Sequence, residues 1–138
     1  MFKKILLPVD LSDKHGRALE VTADLVAQGG EVELLHVIEV MAGLSLEEEK
    51  EFYGRLAKLA RRHLGKLGEA LQGRNVPWRE EVLYGHRVAE VVRHARAAGV
   101  DLIVLTAPRF DPDNPGAGWG SLSYQIGILA PCPVLLVK

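Results

Sequence analysis

Residues 120–138 read GSLSYQIGILAPCPVLLVK, and this stretch decides the fold. Gly120-Ser121 opens a short helix, Pro131-Cys132-Pro133 punctuates its end, and a continuous apolar strand follows over 133–137. A helix that opens this way presents unpaired backbone amides at its amino end, where an anion can be seated. The opposite terminus supplies the complement. Residues 1–10, MFKKILLPVD, form an apolar strand that ends in a polar group, Asp10.

Between these ends, short apolar runs alternate with longer amphipathic ones, the pattern of a parallel sheet with helices on both faces. Strands are expected over 3–9, 31–40, 76–84, 101–106 and 133–137. Leu102-Ile103-Val104-Leu105 is apolar on both faces and therefore central. The run 76–84 carries Pro77 near its start and is interrupted by Arg79, Glu80 and Glu81, which a rim strand tolerates. Ser12 is expected to cap a helix that runs to about Gln28 and stops at Gly29-Gly30. Ser45 and Glu48 have capping-box spacing for a long helix with Phe52, Leu56, Leu59, His63 or Leu64, Leu67 and Leu71 along one side. A third helix spans 87–98 and stops at Gly99. Right-handed crossovers, with the third strand at a rim and the first and fourth central, give the order 3-2-1-4-5 in one open five-stranded, Rossmann-like α/β sheet. Ligands of such sheets bind outside the carboxyl ends of the strands at the switch point, here between strands one and four. Asp10, Thr106 and the loop up to Gly120-Ser121 converge there.

Bulk composition narrows the function classes. A length of 138 residues with 48% hydrophobic content fills one core, so residues 1–138 are expected to form a single domain. A net charge of −1, from 17 basic and 18 acidic residues interspersed along the chain, offers no footprint for nucleic acid or an anionic membrane. No apolar run approaches the length of a membrane span, and the lone Cys132 suits a reducing compartment, so a cytoplasmic location is expected. The histidines are scattered without metal-ligand spacing: His36 lies in a strand, buried and hydrogen-bonded, His63 and His94 sit on helices, and His15 and His86 begin helices. No G-x-S-x-G elbow occurs, and Asp10 has no evident partner for acid–base work, so no catalytic residue is expected.

The features KKILLPVDLS, LLHVIE, the Gly85-His86 turn, AAGVDLIVL, and Gly-Ser followed by PCPVLLV occur in an order and spacing that resemble the universal stress protein family over essentially the whole chain. The resemblance implies a dimeric five-stranded α/β domain with one branch that binds ATP and another that does not. In the ATP branch, adenine and ribose would lie near Pro8, Val9, Asp10 and Val37, with Asp10 accepting from a ribose hydroxyl. Phosphates, with or without Mg²⁺, would be held by a loop of pattern Gly, two residues, Gly, nine residues, Gly and Ser or Thr. Here the corresponding stretch runs from Thr106 through Arg109 to Gly120-Ser121, Leu122 and Ser123. Both leading glycines are absent, the spacing is one residue longer, and Pro108, Pro112 and Pro115 donate no amide. Arg109 either contacts a phosphate or folds over the crevice, and Ser121 either seats an anion or caps its own helix. The 107–119 loop is expected to order on binding.

Two functions follow as expectations. One is a stress-associated module that binds an adenine nucleotide, ATP above all, with at most weak hydrolysis. The other is a homodimeric interaction protein that has lost nucleotide binding. In both, Val134–Val137 forms a flat apolar sheet edge that a homodimer would cover.

Overall fold

A computed structural model of the chain describes residues 2–107, 112–114 and 122–138. Its elements run β1 (Phe2–Pro8), α1 (Gly16–Leu25), β2 (Val26–Ile38), α2 (Lys50–Gln72), β3 (Trp78–Tyr84), α3 (Arg87–Ala97), β4 (Leu102–Thr106), α4 (Leu122–Leu129) and β5 (Val134–Val137). Every strand pairing is parallel and the order is β3-β2-β1-β4-β5, as the polar interruptions of β3 and the unbroken apolar runs of β1 and β4 required.

The central strands bury alternate residues on opposite faces. Ile5, Leu7, Val32, Leu34, Leu102 and Val104 pack with Ala18 and Leu19 of α1 and with Leu64 and Leu71 of α2. Leu6, Leu35, Val37, Ile103 and Leu105 pack with Val88, Val91 and Ala95 of α3 and with Ile126 of α4. Each such Leu or Ile contributes about 2 kcal/mol by leaving water, so strands with two covered faces read as largely apolar runs, with Glu33 and His36 of β2 as buried polar exceptions. No helix among the described residues is long and apolar enough to cross a membrane.

Local expectations are corrected at three places. Ser12 does not cap α1, because its amide and hydroxyl both donate to Asp10 Oδ1, at 2.9 and 2.5 Å. That turn commits the side chain before the helix begins, and α1 starts at Gly16. Nor does Gly29-Gly30 end the helix; α1 stops at Leu25 and the pair lies inside β2. Gly29 has φ of 84°, and a Cβ on Gly30 would stand 2.7 Å from the Lys3 carbonyl oxygen. The β1–β2 register shift between Phe2 and Lys4 is therefore built where glycine tolerates it.

The third correction concerns α2. Ser45 Oγ does accept the Glu48 amide, at 3.1 Å, but this closes a turn ahead of a helix that starts at Lys50. The line buried against the sheet is Tyr53, Ala57, Ala60, Leu64, Gly68 and Leu71, while Leu59 is 50% exposed. Phe52, Leu56 and Leu67 pack only at the flanks. Close approach selects the small residues: a Cβ on Gly68 would collide with the Trp78 indole.

Candidate functional site

At their carboxyl ends β1 leads to α1 on one face of the sheet and β4 leads toward α4 on the other, so the chain diverges and a crevice opens between them. The crevice is a cavity of about 200 Å³. Pro8, Val9, Asp10, Val37, Thr106, Leu122 and Ser123 line it, with Lys14, His15, Leu35, Arg87, Val91 and Leu105. Arg109, Gly120 and Ser121 lie outside the described residues, as does most of the 107–119 loop.

Asp10 stands partly exposed at the cavity wall. Oδ1 accepts from the Ser12 amide, the Ser12 hydroxyl and His15 Nε2, the last at 2.8 Å. Oδ2 faces Lys14 Nζ at 3.0 Å. Burial pushes the carboxyl pKa up, but hydrogen bonds from the Ser12 hydroxyl, His15, the Ser12 amide and Lys14 outweigh it and hold the group well below the usual carboxylate range. An anionic acceptor is therefore in place at neutral pH, with Oδ1 saturated and Oδ2 turned to the exposed Lys14 ammonium.

His15 is only 3% exposed, and its Nδ1 lies 2.8 Å from Thr106 Oγ1. An ionised Asp10 can only accept, so a neutral His15 carries its proton on Nε2 and takes the Thr106 hydroxyl proton in a hydrogen bond at Nδ1. The Asp10 amide also approaches Nε2, at a longer 3.3 Å. A hydroxyl, an imidazole and a carboxylate thus stand in series and tie the end of β1 to the end of β4. With both ring nitrogens committed, His15 fixes the orientation of Asp10. The expectation that Asp10 lacks a partner is overturned by this chain: Thr106 and His15 are 91 residues apart in sequence, and only the sheet brings them together.

His36 supports the same strand end from the other side. Its Nδ1 donates to the Val9 carbonyl at 2.8 Å, in the buried position expected for it. Burial lowers its pKa and the Arg87 charge adds to this, against the opposing effect of the Val9 carbonyl.

Sequence reasoning missed Lys14, His15 and Arg87 as wall residues. The available signal was position alone, since Lys14 and His15 follow a strand-end aspartate and Arg87 follows the Gly85-His86 turn.

Comparison with known proteins places the fold. The universal stress protein family matches over residues 1–138. The universal stress protein YxiE of Bacillus subtilis (strain 168) is 28% identical over 151 aligned positions, covering all of both chains. The solved structure of the hypothetical protein MJ0577 superposes with a TM-score of 0.83 at 30% identity, over 100% of this chain and 96% of that one. The hypothetical protein PH0823 does so with a TM-score of 0.74, also at 30% identity and over the same shares. A match along the full length, a sheet in the order β3-β2-β1-β4-β5 and this likeness to solved structures agree: the chain belongs to the universal stress protein family.

Proposed function

We propose that the crevice binds an adenine nucleotide and that the protein acts as a regulatory, stress-associated module. The observation that carries the reading is the fixed Asp10 carboxylate, with Oδ2 outward, at the edge of a slot walled by Val9, Leu35, Val37 and Leu105. A purine suits the apolar walls, and a ribose hydroxyl is a donor for Oδ2. Phosphates would extend toward Ser123 and the amino end of α4.

Proteins of the same fold support the ligand class. A universal stress protein has been crystallised in complex with cAMP (16% identical), one from Archaeoglobus fulgidus with dAMP (20%), and one from Arabidopsis thaliana with AMP bound (18%). ATP, with Mg²⁺, belongs to the same proposal through the branch of the family that the strand-end residues resemble.

The test is calorimetric titration of nucleotide-stripped protein with AMP, ADP and ATP, with and without Mg²⁺. Binding near micromolar, about −8 kcal/mol, that is lost in Asp10→Ala is the expected result. No heat and no nucleotide released on stripping would decide for the alternative, a dimeric interaction protein. That alternative draws on the commitment of the Thr106 hydroxyl to His15 and on the prolines at 108, 112 and 115.

The proposal includes a homodimer through Val134–Val137. Leu136 is 46% exposed on this edge strand, and Ile128 and Leu129 of the neighbouring α4 are also exposed.

A further inference from the structure

Two cations on the crevice wall have uses the packing does not explain. Lys14 reaches Asp10 Oδ2 from a half-exposed side chain. Arg87, the first residue of α3, approaches Glu39 only at 3.9 Å through Nε, beyond hydrogen-bond range, so among the described residues its guanidinium is held by no close ion pair. Arg87 also borders an adjoining groove with His86 and Gln125. The loop carrying Lys14 leads into α1 on one face of the sheet and α3 covers the other, so the two charges reach the crevice from opposite sides. A nucleoside has no use for two positive charges on its walls. A phosphate has.

Resting on the nucleotide reading, we propose that Lys14 and Arg87 form the phosphate subsite of this crevice. Side-chain cations then supply what the loop between Thr106 and Gly120 does not, since that loop lacks the two leading glycines and carries prolines in place of amide donors. Lys14 is the exchanging member. In the ligand-free protein its ammonium neutralises Asp10 Oδ2; when a ribose hydroxyl donates to that oxygen, the ammonium turns to the phosphate. Arg87 meets the same anion from the α3 side, where its forked donors suit two phosphate oxygens. The subsite is selective for a charged nucleotide over the bare nucleoside, and its contribution is screened by salt.

The experiment compares adenosine with AMP by calorimetry, at low and high salt, in wild type, Lys14→Met and Arg87→Met. Both side chains are substantially exposed, and matching thermal unfolding midpoints check that the variants fold. Wild type is expected to prefer AMP, more so at low salt. Each variant should lose about tenfold of that preference, a loss of one charge-assisted contact, while adenosine affinity is unchanged or, in Lys14→Met, improved. Variants that bind adenosine normally and keep the full AMP preference would overturn the subsite and leave the nucleotide reading standing. A wild type that binds neither compound would overturn both.

Discussion

Glu33 offers the sharpest test of how this core is held together. The residue is 2% exposed on β2, its Oε1 lies 2.7 Å from His94 Nε2, and its Oε2 is buried with no hydrogen-bond partner among the described residues. His94→Ala removes the side chain that compensates this carboxyl group among the described residues. A buried polar group left without its hydrogen-bond partner costs about 1–3 kcal/mol, and more where the group is charged. The expected loss is therefore about 3 kcal/mol, a large share of the stability of a typical domain. Glu33→Leu removes the carboxyl together with its orphan oxygen and places a similar volume on the sheet face that carries Leu6, Leu35 and Ile103. Its expected cost is under about 1 kcal/mol of either sign. His94→Ala added to Glu33→Leu should then cost far less than it does alone. Equilibrium urea unfolding reads all three variants; with a slope of about 1–3 kcal/mol per molar, the single His94→Ala midpoint should fall by roughly 1–3 M. If Glu33→Leu costs as much as His94→Ala, or if His94→Ala costs under about 1 kcal/mol, the asymmetry argument is wrong.

Four shorter predictions address the packing and the site. Gly68→Ala should destabilise by about 1 kcal/mol net, because overpacking against Trp78 exceeds the helix-propensity gain; a higher thermal midpoint would show that the indole yields freely. Thr106→Val should cost about 1–2 kcal/mol by leaving His15 Nδ1 without its donor, whereas Thr106→Ser should not; equal stability of the two in urea would remove the chain from consideration. His36 has a lowered pKa in the folded protein, so as pH falls through its ordinary value of 6.5 the unfolded chain takes up the proton first. Its stability contribution is present above that pH and is lost below it, at no more than about 1.4 kcal/mol per pH unit; urea midpoints of wild type and His36→Gln should diverge less in mildly acidic than in mildly alkaline buffer, and a constant difference would refute this. Leu136→Asp should halve the mass measured by light scattering if β5 pairs across a dimer, and an unchanged mass would exclude that edge.

Much of the architecture was legible because burial on two faces leaves a plain trace. Leu102-Ile103-Val104-Leu105 could only be central, and Arg79-Glu80-Glu81 could only be at a rim; from these the strand order followed. The helices were less legible. In α2 the large residues that set the apparent stripe, Leu59 among them, yield to Ala57, Ala60 and Gly68, because the distance to Trp78 and the sheet decides which line faces inward. At Ser12 two local hydrogen-bonding options compete, and the nearby Asp10 carboxylate wins over the helix amides.

The sequence by itself determined that β1 and β4 are buried on both faces, that the crevice lies between their carboxyl ends, and that Asp10 stands at its wall. These are consequences of residue period and chain order, which short stretches encode. Only the tertiary structure decided that His15 bridges Asp10 to Thr106, that His94 meets Glu33 across 61 residues of chain, and that Lys14 and Arg87 flank one cavity. Such pairings depend on strand register and on which face each helix covers, and a few ångströms of register decide whether a donor reaches its acceptor.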